Sequence, residues 1–332
     1  MRLLPLLLSI ALATVLSSAL TWALRPLLLR YALARPNARS SHKVPTPQGA
    51  GIAVIGATLI TAAAIILLSS AGLQVPLAVF GACLFVALVG AADDIRPVPV
   101  LPRLLLQAMA VGTVVAAIPV DLQIFPALPF WIERGTVLIA GLWFVNLVNF
   151  MDGLDWMTIS ETIPIAAALV FLGLLGDLTP TAAFVAAALG GAMLGFAPFN
   201  RPVAKVFLGD VGSLPIGLLL GWCLLELAYH GQLVAALILP LYYLADATVT
   251  MLRRLIGGEK IWAAHRSHFY QRATDNGFTV LGVVGNVFVL NLGLATLAIV
   301  STLTPSIVAK IALLAASTIA TAWVMFRFTE RR

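Results

Sequence analysis

The sequence predicts an all-α, polytopic integral membrane protein, and three observations lead to that class. Of the 332 residues, 61% are hydrophobic and only 10% are charged, whereas about a quarter of a soluble domain is charged. Apolar stretches of the length that a spanning helix needs, about 20 residues, recur along the whole chain. The basic residues fall on alternate connections between these stretches. Together these features exclude a disordered chain, a disulfide-rich secreted domain and an outer-membrane barrel.

About eleven transmembrane helices are predicted in order along the chain. We interpret the first as a retained helix, because it is longer than the apolar region of a signal peptide and ends in Arg25 and Arg30. No separate soluble domain interrupts the series, so residues 1–332 are expected to form a single membrane-embedded domain. The approximate bounds are 4–24, 49–70, 76–92, 102–119, 135–150, 160–176, 181–199, 212–230, 232–252, 279–300 and 304–326.

The distribution of basic residues predicts which side of the membrane each loop occupies. With eleven spans, all 20 Lys and Arg residues except Arg2, Arg134 and Lys310 lie on one side. By the positive-inside rule that side is cytoplasmic. Most loop carboxylates and three of the four histidines also lie there, which predicts an active site at the cytoplasmic face. The net charge of +6 is therefore attributed to topology, and no nucleic-acid partner is expected.

Acidic residues stand at the predicted cytoplasmic ends of two spans. Asp93 and Asp94 follow the third span in GAADD, and adjacent carboxylates at a membrane boundary repel each other unless a cation or protons neutralise them. Asp210 lies between glycines in FLGDVGSL, where a tight turn can present its carboxylate at the entrance of the next helix. The alternatives are a solvated helix end for the pair and a helix capped by Ser213.

The segment NLVNFMDGLDWM places four polar residues at intervals of three. If the helix continues through the segment, all four project from one face. Amide and carboxylate oxygens at this spacing can hold Mg²⁺ and bind a sugar or a phosphate, although a polar helix end is the alternative. The residues are Asn146, Asn149, Asp152 and Asp155.

Basic and imidazole side chains lie in three segments of the same face. They fall in the first loop, before Asp210 and in the 253–278 loop, where they can contact phosphates or, alternatively, anionic lipid. The residues are His42 and Lys43, Arg201 and Lys205, and His265, Arg266 and His268.

These clusters converge on one membrane face and favour one chemistry. Oxygen-rich sites favour Mg²⁺ or Mn²⁺ bound with a substrate phosphate, so phosphoryl transfer between a nucleotide-linked donor and a membrane-borne acceptor is the simplest interpretation. The alternative is a membrane transporter that uses intramembrane carboxylates. Asp246 is the carboxylate nearest the midplane, and Glu226 lies toward the opposite face.

The motifs resemble those of the polyprenyl-phosphate N-acetylhexosamine-1-phosphate transferases, which include the translocase that begins the lipid cycle of peptidoglycan. The matching elements SSHKVPTPQGAG, GAADD, NLVNFMDGLD, FLGDVGSL and HRSH occur in the family's order over residues 40–268. HRSH is more similar to the branch that initiates O-antigen. The chain departs from the family at Gln48, where a basic residue is common, and at Ala50 and Trp156, where glycine is usual.

The resemblance implies transfer of a sugar-1-phosphate from a UDP-sugar to undecaprenyl phosphate in the bacterial inner membrane, with UMP as the second product. GlcNAc or a related N-acetylated amino sugar is the expected donor group, Mg²⁺ is the expected cofactor with Mn²⁺ as the alternative, and a homodimer is expected. Both direct attack and an aspartyl-phosphate intermediate remain open.

The same resemblance implies roles for individual residues. Asp93, with Asp94 beside it, corresponds to the group that deprotonates the lipid phosphate. Asp210 corresponds to the principal metal ligand, joined by Asp152 and Asp94. The substrate-binding positions are His42, Lys43, Asn146, Asn149, Asp152, Asp155, Arg201, Lys205, His265, Arg266 and His268.

Overall fold

The computed structural model describes residues 3–34, 45–69, 72, 74–260 and 265–331. His42 and Lys43 lie outside these residues. The described chain is almost entirely helical, which confirms the all-α polytopic class. The helices are α1 Leu3–Tyr31, α2 Gly51–Leu68, α3 Gln74–Ile95, α4 Val100–Ala117, α5 Phe130–Met151, α6 Met157–Leu175, α7 Pro180–Phe196, α8 Asp210–Leu227, α9 Leu233–Ile238, α10 Leu241–Ile256, α11 Phe269–Asp275, α12 Val280–Leu303 and α13 Ile307–Thr329. Strands β1 Leu33–Ala34 and β2 Thr46–Pro47 pair antiparallel.

Nine spans in the described part of the chain are long and apolar enough to cross a membrane. One of them, Asp210–Ile238, contains a sharp bend, because His230 and Gly231 have non-helical backbone angles and Gly231 has φ +79°. This bend separates α8 from α9, as the predicted spans require. The helices α7 and α10 have 17 and 16 residues and are shorter. The predicted span 232–252 is divided between α9 and α10 at Pro240.

Helix α8 lies at the centre of the bundle. It packs against α2, α3, α5 and α7. In the span that begins with α8, Asp210–Ile238, 89% of the most apolar 18-residue stretch is buried, against 17% in the peripheral α13. A helix that is apolar on every side is expected to occupy such a core. The surrounding helices therefore fix the position of its first residue, Asp210.

Glycines bring the backbones of α2 and α3 into contact with the start of α8. A Cβ on Gly51 would lie 2.3 Å from the Gly212 Cα, and a Cβ on Gly90 would lie 2.3 Å from the carbonyl oxygen of Asp210. Small residues allow membrane helices to pack this closely. The Gly51 N–H also donates to the carbonyl of Leu208 at 2.8 Å. The ends of three helices are thus locked together.

Substituting Gly51 by Ala is expected to destabilise the protein by about 1–3 kcal/mol, the usual cost of overpacking, because the new methyl group meets backbone that cannot rotate away. Gly56→Ala on the same helix is the matched control, since nothing lies within 4 Å of the position that its Cβ would take. Thermal unfolding of the purified variants would show a lower Tm for Gly51→Ala alone. Equal Tm values would contradict the backbone contact.

Candidate active site

A carboxylate from α3 caps the N-terminus of α8. Asp94 Oδ1 accepts the N–H of Asp210, and its Oδ2 accepts the N–H of Val211, both at 3.0 Å. The side-chain amide of Gln48 also donates to Asp94 Oδ1. The first N–H groups of a helix have no partner within the helix and carry partial positive charge, so a carboxylate is stabilised there. The cap comes from another helix, and α8 has no side-chain cap of its own.

Gly209 leaves room for the Asp94 side chain beside the start of α8. It precedes α8 with φ +78°, and a Cβ at this position would lie 2.6 Å from Asp94 Oδ2. A left-handed backbone without a side chain suits glycine. The glycine of FLGD is therefore required by the cap that GAADD supplies, and the two motifs form one structural unit.

The side chain of Asp93 lies within hydrogen-bonding reach of the Asp210 carboxyl. Asp93 also accepts the Val98 N–H at 2.6 Å and forms an ion pair with Arg103. Two carboxylates in contact cannot both remain ionised without a proton or a cation between them. This contact is therefore the chemically distinctive feature of the site.

Asn149 of α5 joins this cluster, whereas Asn146 does not. Asn149 Nδ2 donates to Asp210 Oδ1 at 2.8 Å and to the hydroxyl of Ser213 at 2.9 Å. Asn146 is buried one turn earlier and donates to Gln107 Oε1 of α4 at 2.8 Å. The structure thus directs Asn146 into the packing between α4 and α5.

The continuous helical face predicted for residues 146–155 does not form, because α5 ends at Met151. Asp152 accepts the hydroxyl of Thr158. Burial, assisted by the nearby charges of Asp94 and Asp155, raises the pKa of Asp152 to about 7. Asp155 lies in the following turn and accepts the Ala204 N–H at 3.0 Å.

Trp156 stands where the motif resemblance predicts glycine, and its left-handed backbone conformation is one that suits glycine. It has φ +65°, a conformation that costs a non-glycine residue free energy. Two hydrogen bonds hold it there: its N–H donates to Asn200 Oδ1 at 2.8 Å, and its indole N–H donates to the Ala197 carbonyl at 2.7 Å. The departure from the family pattern is therefore compensated locally.

The histidine segment lies between α10 and α11. His268 is buried and donates from Nδ1 to Asp246 at 3.1 Å. The His265 ring lies 4.9 Å from that of His268, and its Nδ1 contacts the hydroxyl of Ser267 at 2.8 Å. Burial, followed by the charges of His268 and Arg254, lowers the pKa of His265 to about 4. His265 is therefore neutral near pH 7 and can bind a substrate by hydrogen bonding.

Tyr270 joins the histidine segment to the DGLD turn. Its hydroxyl donates to the Phe150 carbonyl at 3.0 Å, and its ring stacks on His268 at 5.7 Å. A Cβ on Gly153 would lie 2.1 Å from the Tyr270 hydroxyl oxygen. The absence of a side chain at Gly153 is therefore required by this contact.

The site gathers four carboxylates, but the described residues contain no preformed group of three or more His, Cys, Asp or Glu side chains that could hold a metal ion. Asp93, Asp94 and Asp210 are in direct contact, and Asp152 lies close enough for the Asp94 charge to affect it. Arg201 and Lys205 are exposed on the loop that leads into α8. Arg266 donates to Thr274 and Asp275.

Residues 76–228 match the family model described as glycosyl transferase family 4. The matched segment contains Asp93, Asp94, Asn149, Asp152 and Asp210, which form the carboxylate cluster and its Asn149 partner. The match therefore includes the helices that build this site.

Relatives with named activities match parts of the chain. It is 39% identical to a phospho-N-acetylmuramoyl-pentapeptide-transferase of Chlamydia pneumoniae over 29% of this chain and 30% of that protein. It is 31% identical to a decaprenyl-phosphate N-acetylglucosaminephosphotransferase of Mycobacterium tuberculosis over 42% of this chain and 40% of that protein. The chain thus covers less than half the length of these relatives. Just under half of the chain is thus similar to glycosyl transferase family 4, and these relatives act on polyprenyl-linked or N-acetylated sugar phosphates by name. These matches support the family that the motifs predict.

Three residues that contact this candidate site were not among the predicted site residues. Gln48 and Arg103 contact the two adjacent aspartates, and Asp246 holds His268. Gln48 was visible as a departure from the family pattern, and Asp246 as a carboxylate within an apolar span. Their partners lie far away in sequence, so their contacts have no local signal.

Substituting Gly153 by Ala is expected to destabilise this protein by about 1–3 kcal/mol, as overpacking does, because the buried Tyr270 cannot withdraw its hydroxyl. Tyr270→Phe should rescue much of the loss, since the next contacts of a Cβ at position 153 would be at 3.1 and 3.2 Å. Gly135→Ala on α5, with open space around it, is the control. Thermal unfolding of the single and double variants would test this, and strictly additive losses would contradict the contact.

His265 is expected to make the fold sensitive to acid. Its folded pKa of about 4 is below the ordinary value of about 6.5, so between these values the unfolded chain binds a proton that the folded chain does not. Stability therefore decreases as pH falls through this window. His265→Gln should flatten the dependence of Tm on pH, measured in EDTA. An unchanged slope would show that the imidazole is not held neutral.

Proposed function

We propose that this protein transfers a sugar-1-phosphate from a UDP-sugar to undecaprenyl phosphate at the cytoplasmic face of the bacterial inner membrane. The carboxyl contact between Asp93 and Asp210 at the capped start of α8 carries the proposal. The activities for which the relatives are named, those of a phospho-N-acetylmuramoyl-pentapeptide-transferase and a decaprenyl-phosphate N-acetylglucosaminephosphotransferase, belong to the same reaction class. The concentration of basic residues on the loops of this face supports the orientation.

The reaction joins two anions. An oxygen of the lipid phosphate forms a bond to the phosphorus that carries the sugar, the bond from this phosphorus to the bridging oxygen breaks, and UMP leaves with that oxygen. Catalysis of phosphoryl transfer depends mainly on positioning and electrostatic stabilisation. A cluster of carboxylates would by itself repel both substrates, so the charge balance calls for a cation.

The residues of the cluster fit Mg²⁺, because their donors are carboxylate oxygens and the nearby polar side chains also offer oxygen. We assign Asp210 and Asp152 as its protein ligands, with Asp93 in contact with Asp210. Asp94, also suggested as a ligand by the sequence, accepts two backbone N–H groups, and its proposed role is to hold α8. Bound Mg²⁺ would supply charge neutralisation and polarise the phosphoryl oxygens.

Asp93 is the proposed base for the lipid phosphate. The Val98 N–H and Arg103 both donate to it, and these contacts stabilise the ionised form that a base needs. Asn149 holds the neighbouring Asp210 carboxylate through a 2.8 Å hydrogen bond. Asp93 is thus oriented on one side while Asp210 is fixed on the other.

The donor and the acceptor are proposed to meet different loops. Basic and imidazole groups beside the DGLD turn would bind the UDP-sugar, and the first loop would meet the lipid phosphate. The O-antigen-initiating branch is proposed from the similarity of the HRSH sequence, and a UDP-N-acetylhexosamine donor is proposed from the family resemblance. The proposed donor-side residues are Asp155, Arg201, Lys205, His265, Arg266 and His268, and the acceptor-side residues are His42 and Lys43.

The contacts of Asp246 weigh against the transporter alternative. This carboxylate is fully buried and accepts hydrogen bonds from both side chains and backbone N–H groups. A carboxylate in an ion pathway should instead face a water-filled cavity. Its burial supports a structural role within an enzyme.

Substituting Asp210 by Asn is expected to abolish transfer while leaving the fold intact. An amide is a poor Mg²⁺ ligand, and it removes the negative charge that Asp210 places beside Asp93. The assay incubates the purified chain with undecaprenyl phosphate, Mg²⁺ and a panel of labelled UDP-sugars, with EDTA as the metal-free arm. Asp121→Asn, at an exposed carboxylate, is the matched control.

The Asp210 assay has outcomes that separate the parts of the proposal. Transfer by the wild-type chain that is lost in EDTA and in Asp210→Asn supports the whole assignment. Near-normal turnover of Asp210→Asn at saturating Mg²⁺ would remove Asp210 from the metal site. Absence of transfer with every UDP-sugar tested would contradict the proposed function itself.

A further inference from the structure

Asp246 of α10 is a buried carboxylate that the proposed chemistry does not use. It is 0% exposed, and placing an ionised group there is costly unless hydrogen bonds satisfy it. Five donors do so at 3.0–3.3 Å, from two helices and the segment between them. They are the Tyr242 and Thr250 hydroxyls, His268 Nδ1, and the backbone N–H groups of Phe269 and Tyr270.

These contacts make Asp246 the cap of α11. His268 occupies the N-cap position but makes no side-chain cap hydrogen bond. Asp246 Oδ1 and Oδ2 instead accept the N–H groups of Phe269 and Tyr270. The carboxylate therefore fixes the backbone on the C-terminal side of His268 and binds its ring at the same time.

The hydrogen bond to Asp246 determines which nitrogen of His268 carries a proton. A carboxylate only accepts hydrogen bonds, so Nδ1 must be the donor, and the opposite nitrogen, Nε2, is the one left for another partner. The His268 ring packs against two others, with its centroid 4.9 Å from that of His265 and 5.7 Å from that of Tyr270. Tyr270 in turn contacts the Phe150 carbonyl beside the DGLD turn.

We propose that Asp246 is a positioning residue that fixes the Nδ1–H form of His268 and presents its Nε2 to the diphosphate of the nucleotide-sugar donor. The inference rests on the proposed function for the identity of the donor. A ring with protons on both nitrogens can donate from Nε2 to a diphosphate oxygen and from Nδ1 to Asp246. The Asp246 carboxylate stabilises the positive charge of such a ring. Carboxylates in this position orient functional histidines in other enzymes.

The first test is ¹⁵N NMR of the full-length protein in nanodiscs with labelled histidine. The chain has only four histidines, and His268→Gln assigns the signal. At pH 8, Nδ1 of His268 is expected to be protonated. A His268 signal with a bare Nδ1 and a protonated Nε2 would overturn the inference, and this measurement requires neither activity nor an Asp246 variant.

The second test compares Asp246→Asn with variants that remove other contacts of the same carboxylate. An amide offers one acceptor atom in place of two, so the set of five donors cannot be satisfied. We expect a changed His268 signal and a loss in kcat/KM for the UDP-sugar of about 10- to 100-fold, as for other partners that orient functional histidines. Tyr242→Phe and Thr250→Val should keep the wild-type signal and near-normal donor kinetics.

Combining Asp246→Asn with His268→Gln distinguishes positioning from independent structural damage. If Asp246 acts through His268, the double variant should lose no more donor kcat/KM than His268→Gln alone. Additive losses, or an unchanged His268 signal in Asp246→Asn, would overturn the inference. A wild-type chain with the expected signal but no transfer would instead contradict the proposed function and leave the Asp246–His268 geometry standing.

Discussion

The N-terminus of a buried helix must find hydrogen-bond acceptors, and at α8 Asp94 supplies them. Val211, the second residue of α8, is buried, so its N–H group needs an acceptor from the protein. The cap draws the end of α3 against the start of α8, which is why Gly90 and Gly209 have no room for a side chain. Once Asp94 is so placed, its neighbour Asp93 must lie beside Asp210. One capping interaction thus determines the geometry of the proposed phosphoryl-transfer site.

The same arrangement concentrates negative charge where the substrates are also negative. Partial compensation is built into the chain: Arg103 pairs with Asp93, Asn149 donates to Asp210, and Thr158 donates to Asp152. These contacts orient the carboxylates without neutralising all of them, as the raised pKa of Asp152 indicates. Charge left uncompensated lowers the stability of the folded protein. The proposed Mg²⁺ would relieve that cost, so the electrostatics are consistent with the proposed chemistry.

The helical class, the family and the grouping of GAADD with FLGD could be predicted from the sequence, because composition and motif spacing carry that information locally. The distribution of roles within the motifs could not. Asn146 and Asn149 look equivalent at a spacing of three, yet the first contacts Gln107 of α4 and the second contacts Asp210. The assumption of a continuous helix through Asp155 failed because α5 ends at Met151. Gln48 became interpretable only when folding placed it on Asp94, 46 residues away.

Asp94 and Asp246 have the same structural role at two places, since each caps the start of another helix. Each is a carboxylate on one helix that accepts two consecutive backbone N–H groups at the start of another, α8 for Asp94 and α11 for Asp246. Each also accepts a hydrogen bond from another side chain, Gln48 in one case and His268 in the other. A carboxylate within an apolar segment therefore does not by itself indicate an ion pathway. Where backbone N–H groups satisfy such a carboxylate, it fixes the start of a helix, and the helix in turn places the residues of the proposed site.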